Sequence, residues 1–242
     1  YYYRIPKCTV PVSQANRPVI VGFGPAGMFA ALVLAKAGLR PIVLERGKCV
    51  EQRQEDVTNF RKTGVLCTES NVQFGEGGAG TFSDGKLTTG IKDPRIRFVL
   101  QSFVECGAPE EILYLAKPHI GTDKLVHVVR EMRKTIQRYG GEILFQAHME
   151  KLVQKNGKLT AVQYQKDGKM TEILTSYCIL AVGHSARDVF EMLYNANISM
   201  MQKNFAVGMR IEHSQDWLNH AMYGREASPP ELPVADYKLA VH

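Results

Sequence analysis

Three glycines, Gly22, Gly24 and Gly27, follow the apolar run Pro18-Val19-Ile20-Val21 at the spacing G-x-G-x-x-G. A strand that turns through such glycines into a helix presents free backbone N–H groups to a pyrophosphate. Gly22 allows the tight turn, Gly24 lets the anion approach the backbone, and Gly27 lets the helix pack close to the sheet. Pro25 fits the first helical position, Gly38 fits the position just past the end, and Ala26, Ala30 and Ala31 keep the first turns slim. The pattern calls for an acid about 20 residues on, at the tip of the next strand, to accept hydrogen bonds from a ribose. Glu45, closing Pro41-Ile42-Val43-Leu44-Glu45, is that acid. Its charge opposes a 2′-phosphate, although Arg46 beside it softens the repulsion. The expectation is a dinucleotide site; the competing reading is a glycine-rich turn that binds nothing.

A second glycine run, from Phe74 to Leu87, repeats the spacing through Gly75, Gly77 and Gly80. No β-branched strand precedes it and Asp84-Gly85 is turn chemistry, so it is not a second copy of the first motif. It reads as a backbone nest around a planar or anionic ligand held by the first site, with Thr81, Ser83, Asp84 and Lys86 available to hydrogen-bond. A surface loop is the alternative. His119, His184, Arg187 and Asp188 are the candidates for substrate binding or proton transfer, since imidazole titrates near neutrality and guanidinium grips carboxylates. Each could equally be a structural hydrogen bond or ion pair, and no general acid or base is assigned. His127, among apolar neighbours, reads as structural. The five cysteines are odd in number, scattered and without a C-x-x-C pair. They indicate no zinc site, disulfide framework or redox pair of the disulfide-reductase type, and they fit a reducing, cytoplasmic setting.

The elements that position these residues follow from periodicity and turn chemistry. Asp93 and Pro94 predict the start of a helix through Ile96, Val99, Leu100 and Phe103 that ends at Gly107. A shorter helix is expected over 109–116. A third, capped by Asp123, carries Leu125, Val128, Val129, Met132 and Ile136 at helical spacing and ends at Gly140-Gly141. Glu142 to Phe145 reads as a third strand of the first sheet. Asn156-Gly157 and Asp167-Gly168 separate alternating runs over 151–154, 159–165 and 172–181, which predicts an antiparallel meander. Its last run becomes apolar at Tyr177 to Gly183, as if returning to a buried parallel sheet. The chain then turns through Gly183 to Asp188, with Ser185 as N-cap of a helix through Phe190 and Leu193.

Residues 1–17 read as a linker or the remnant of an upstream domain, 18–194 as one Rossmann-like domain, and 195–242 as the start of a second domain. The latter holds a strand-like Phe205 to Ile211 and the turn Ser228-Pro229-Pro230. Starting at Tyr1 without a methionine and stopping at His242, the sequence reads as a fragment whose partner is the rest of its own chain. The net charge of +6 is modest for 242 residues, and its Lys and Arg, interleaved with acids, read as a solvated surface and not a nucleic-acid footprint. No run approaches the roughly 20 apolar residues of a membrane span.

The strings GFGPAGMFAAL, ERG, SNVQFGEGGAGTFSDGKLTT, KPHIGTDKL, LAVGHSARDVFEML, FAVGMRIEH and ADYKL resemble a bacterial family of FAD-dependent dehydrogenases, also called NAD(FAD)-utilising dehydrogenases, whose FAD domain is glutathione-reductase-like. The resemblance runs from about Pro18 to the end. It implies an α/β fold: a Rossmann-like FAD-binding domain with a parallel sheet and an inserted antiparallel β-meander, plus the start of a second α+β domain. It implies a longer protein whose C-terminal portion completes the flavin domain. It also implies Gly22, Gly24, Pro25, Ala26 and Gly27 at the FAD pyrophosphate, Glu45 and Arg46 at the adenosine end, and Met149 with its backbone near adenine. Gly80, Thr81, Asp84, Gly85, Lys86 and Leu87 would lie near the flavin ring, and Ala181 with Gly183 would line the cofactor edge. The activity implied is hydride transfer through FAD to or from a small molecule, with NAD(P)H as partner. A flavin monooxygenase or saturase-type reductase, a non-catalytic FAD-binding accessory protein and a plain NAD-dependent dehydrogenase are the alternatives.

Overall fold

The computed structural model describes residues 3–9, 12–13, 16–83, 85, 87, 89, 91–115, 118–205, 207–209, 211–224 and 232–237. Asp84, Lys86 and the Ser228-Pro229-Pro230 turn lie outside them. The chain divides into two compact units, Tyr1–Ile198 and Ser199–His242.

In the first unit the order is β1 (Val19–Val21), α1 (Pro25–Lys36), β2 (Ile42–Glu45), α2 (Val50–Thr63), α3 (Ile96–Glu105), α4 (Thr122–Arg138), β3 (Glu142–Phe145), β4 (His148–Lys155), β5 (Lys158–Lys166), β6 (Lys169–Leu174), β7 (Cys178–Leu180) and α5 (Arg187–Asn195). Strands β3-β2-β1-β7 form a parallel sheet in that order, with Val21 opposite Leu44 on one side and Leu180 on the other. Strand alternation sends Ile20 and Val43 to one face, where they pack with Ala31 and Leu32 of α1 and Val128, Met132 and Ile136 of α4;. Val19, Val21 and Leu44 go to the other face, against Met149, Val162 and Tyr164 of the meander and Val189 and Leu193 of α5. Helices thus cover one face of the sheet, and the meander with α5 covers the other.

The meander β4-β5-β6 is a separate antiparallel sheet. Its turns have both central residues at positive φ, Asn156 at 52° with Gly157 at 72°, and Asp167 at 50° with Gly168 at 72°. That is the type I′ geometry expected of Asn-Gly and Asp-Gly.

Several local expectations are corrected. Residues 50–63, for which the sequence pattern predicts no element, form the helix α2, ended by Gly64 at φ 74°. Regular helix α3 starts at Ile96, because Asp93 Oδ1 takes the Arg95 N–H at 2.8 Å in a preceding turn. The element after Pro109 is only a single 3₁₀ turn, Glu110–Leu113. Gly121, at φ 86°, occupies the N-cap of α4, leaving Asp123 inside the first turn. Ser185 is not the cap of α5: Ala186 holds that position, and the Ser185 hydroxyl accepts from Gln73 Nε2 at 2.9 Å. The last run splits into β6 and β7, and β7 is an edge strand with Ile179 and Leu180 over one-third exposed, not a buried one.

The second unit contains α6 (Gln215–Tyr223), whose N-cap Ser214 Oγ accepts from Trp217 N–H at 3.2 Å. The described residues of Phe205 to Ile211 form no strand, and Phe205 and Met209 are 82% and 98% exposed. No described strand of this unit offers them a ladder.

A Cβ on Gly27 would lie 1.9 Å from the Gly22 carbonyl oxygen, whereas a Cβ on Gly157 meets nothing within 4 Å. In urea denaturation, Gly27→Ala is therefore expected to lose about 4 kcal/mol or more. Gly157→Ala, which bears only the left-handed backbone, should lose about 1–2 kcal/mol; equal losses would contradict the close approach of α1 to β1.

Candidate functional site

A cleft of about 590 Å³ opens across the carboxyl ends of β1, β2 and β7, where open α/β sheets bind ligands. Its floor is the first glycine motif. Gly22, at φ 95°, turns so tightly that an added Cβ would sit 2.4 Å from the Ala181 carbonyl oxygen. Gly24 differs, since the nearest atom to its added Cβ is Gly78 Cα at 3.9 Å, so the space in front of it belongs to the cleft. Pro25 starts α1, and no acid stands in the first turn to compete for an anion. By position, the N–H groups of that turn have no helical partner.

Glu45 reaches the cleft wall almost fully buried. Its Oε2 accepts from Phe23 N–H and its Oε1 from Gly47 N–H, both at 2.7 Å. Burial raises its pKa, against the downward pull of the two N–H bonds and of Arg53 and Arg46. The expected ribose acceptor is thus also the tie between the loops after β1 and β2; each oxygen retains a second acceptor site.

Arg46 anchors the same end. Its Nη2 is 2.5 Å from Asp188 Oδ2 and its Nε is 2.8 Å from Glu69 Oε2. His148 lies against the pair, with Nε2 2.9 Å from Asp188 Oδ2 and in contact with Arg46, and Nδ1 2.8 Å from Glu150 Oε1. Partial burial pulls the Asp188 carboxyl upward, but hydrogen bonds from Arg46 and His148 outweigh it and hold the group at about 2. Asp188 is therefore a fixed anion held against two cleft-lining residues, Arg46 and His148, and is poorly matched to proton transfer near neutral pH. Sequence reasoning missed His148 and Glu69; the only signal was that His148 directly precedes Met149.

Of the expected residues, Gly22, Gly24, Pro25, Ala26, Glu45, Arg46, Met149, Ala181, Gly183 and His184 line the cleft. Gly27 lies behind the turn, against Gly22. The second glycine run contributes its beginning and not its end: Gln73, Phe74, Gly75, Gly78 and Ala79 form the wall, while Gly80, Thr81, Gly85 and Leu87 do not. Thr81 is buried against Gly77. Gly85 and Leu87 pair with the 118–120 segment, through Ile120 N–H to Gly85 O at 3.1 Å and Leu87 N–H to Pro118 O at 3.0 Å. His119 belongs to that segment, outside the cleft wall, and Arg187 is exposed on α5.

Behind the wall lie charges that composition assigned to a solvated surface. Arg53 and Glu76 are fully buried, and Arg133 is 13% exposed. Glu76 Oε2 accepts from Val50 N–H at 2.7 Å and from Arg133 Nη1 at 3.1 Å, and Arg133 also pairs with Glu51. Among the described residues, no cluster of His, Cys, Asp or Glu is arranged to hold a metal ion, and no helix is long and apolar enough to cross a membrane.

Residues 204–242 match the family model described as "FAD-dependent protein, C-terminal domain-like". An uncharacterized protein of Clostridium beijerinckii is 53% identical over 223 residues, which is 92% of this chain and 41% of that protein. The chain therefore spans about two-fifths of the length of the curated relative it matches. Among solved structures, THI4 of Thermovibrio ammonificans is similar with a TM-score of 0.50 at 19% identity, over 77% of this chain and 65% of that one. A 3-ketosteroid-delta4-(5alpha)-dehydrogenase of Rhodococcus jostii gives a TM-score of 0.41 at 15% identity, over 75% and 49% of the two chains. The likeness to THI4 shows the fold.

Burial pushes Glu76 up from 4.5 to about 7 against the pull of Arg133. A carboxyl raised in the folded state contributes stability that is complete below its unfolded value and is lost as pH rises through the folded one. The unfolding temperature should therefore carry a Glu76-dependent fall that begins near pH 4.5 and is complete just above about pH 7;. Glu76→Gln should flatten that fall; an unchanged slope would contradict the assignment.

Proposed function

We propose that the protein is an FAD-dependent oxidoreductase that passes a hydride through bound flavin to or from a small-molecule substrate, with the NAD(P)H/NAD(P)+ couple as its redox partner. The observation that carries this reading is the open face of Gly24 at the cleft floor, bounded by the N-terminus of α1. A pyrophosphate needs both features, a bare backbone to approach and unpaired N–H groups to receive it. The cleft volume falls in the range of cofactor sites, about 300–1,000 Å³. The match of residues 204–242 to a FAD-dependent family model supports FAD over a plain nicotinamide cofactor.

When bound, the isoalloxazine supplies the hydride chemistry. The chain's own residues bind and orient. Gly22 to Ala26 hold the pyrophosphate, Glu45 fixes the loops on either side and has acceptor capacity left for a ribose, and the Arg46–Asp188–His148 cluster closes the adenosine end. The backbone of Gly75, Gly78 and Ala79 and the Gly183-His184 corner form the remaining walls. His184, exposed at the cleft, is the best placed of the original candidates to meet a substrate. The odd number and wide spacing of the cysteines support a cytoplasmic setting;.

The intact protein, reconstituted with FAD, should show flavin absorption that NADH or NADPH bleaches anaerobically. Gly24→Val, whose Cβ meets only Gly78 Cα at 3.9 Å, should still unfold cooperatively with a loss of no more than about 2 kcal/mol from the changed N-cap, yet lose FAD affinity by about tenfold or more, about 1.4 kcal/mol. A protein that FAD cannot reconstitute would overturn the proposal, and so would a Gly24→Val variant that binds FAD as well as the parent.

A further inference from the structure

Arg53 stands on the first turn of the polar helix α2, yet its side chain is wholly buried. Its guanidinium donates to four backbone carbonyls of a single loop: Nε to Asn71 at 2.8 Å, Nη2 to Val72 at 3.0 Å, and Nη1 to Glu76 at 2.6 Å and Gly75 at 3.4 Å. Its central carbon lies 4.8 Å over the Phe82 ring. The loop reciprocates, since Glu76 accepts the Val50 N–H that begins α2. Gly75, at φ 114°, is bare on the side that meets the arginine: an added Cβ would lie 2.7 Å from Arg53 Cδ.

The other side of the same loop is the cleft wall. Gln73, Phe74, Gly75, Gly78 and Ala79 face the cavity, and Gly78 seats against Pro25, whose Cδ would be 2.9 Å from an added Cβ. The segment 71–79 has no strand or helix to hold its carbonyls until the 3₁₀ turn that starts at Ala79. Burying a guanidinium costs several kcal/mol, and an apolar side chain would fill such a space at less cost. What an apolar residue cannot supply is a planar set of donors matched to carbonyls pointing from several directions.

We infer that Arg53 is a positioning residue for the bound dinucleotide: without touching the ligand, it sets the backbone of 71–79 at the distance from Gly24 and Pro25 that the ligand requires. The identity of that ligand rests on the FAD reading; the setting of the loop does not. Lysine keeps the charge but offers three donors from one point, so Arg53→Lys is not conservative here.

The test compares the intact protein with Arg53→Lys, Phe82→Leu and Val57→Ala, reading FAD affinity, unfolding midpoint and amide hydrogen exchange with and without FAD. Val57 is buried on the same helix and is the control for mere destabilisation of α2. Arg53→Lys should weaken FAD binding by about tenfold or more and speed exchange across 71–79 by a similar factor in the FAD-free protein. Phe82→Leu, which removes only the ring, should shift both in the same direction by about two- to threefold. Val57→Ala should lower the midpoint and leave FAD affinity unchanged. FAD affinity unchanged in Arg53→Lys, or lowered equally by Val57→Ala, overturns the inference. If Arg53→Lys fails to fold, Phe82→Leu decides by the same criteria. If the unsubstituted protein binds no FAD, the FAD reading falls and takes the ligand role of Arg53 with it. The FAD-free exchange then shows separately whether Arg53 sets the loop.

Discussion

The site depends on how closely α1 approaches β1. A helix whose first turn nearly touches the carbonyl of Gly22 can have no side chain at Gly27, and that contact aims the first N–H groups of α1 over the end of the sheet. The bare Gly22 also leaves room for the Ala181 carbonyl beyond β7, which an added Cβ would meet at 2.4 Å, and Ala181 N–H bonds Val21 O at 2.8 Å, so the third strand bordering the cleft sits against the same turn. Glu45 then ties the loop after β1 to the loop after β2 through Phe23 N–H and Gly47 N–H. A buried carboxylate with two backbone donors is a rigid strut, because leaving either donor unpaired would cost about 1–3 kcal/mol.

Around that fixed floor the remaining walls are held by charge. Arg46, Asp188 and His148 join the end of β2 to α5 and β4, and Arg53, Glu76 and Arg133 join the glycine loop to α2 and α4. Neither the half-exposed Arg46 cluster nor the buried Glu76–Arg133 pair contributes much net stability compared with apolar packing;. Their value here is geometric: they hold irregular backbone, which neither helix nor sheet would fix, around a cavity that must stay open.

What was legible in the sequence was whatever backbone geometry demands of a residue type. Gly22 and Gly27 were readable because nothing else fits there, and Asn156-Gly157 and Asp167-Gly168 because both turn positions need positive φ. The core stripe of α4 was readable because burial on one face imposes helical spacing on Leu125, Val128, Val129, Met132 and Ile136;. Helix α2 was not, since only Val50, Arg53 and Val57 are buried along it and one of these is charged. A buried arginine cannot be told from a solvated one by type alone, so Arg53 and Arg133 were read as surface. The cap expectations at Asp123 and Ser185 failed because the backbone of Gly121 and the amide of Gln73 took the positions or bonds these side chains were expected to have. Strand-like Phe205 to Ile211 has the alternation of a strand but no described ladder to join.

On the proposed function, the cleft over Gly24 holds FAD. The most direct measurement is to isolate the protein under native conditions from cells that make it, denature it, and identify any released small molecule by mass spectrometry against its molar amount of protein. The expected release is FAD, approaching one molecule per chain after reconstitution. Recovery of NAD or NADP in its place, or of no nucleotide even after incubation with excess FAD, would contradict it.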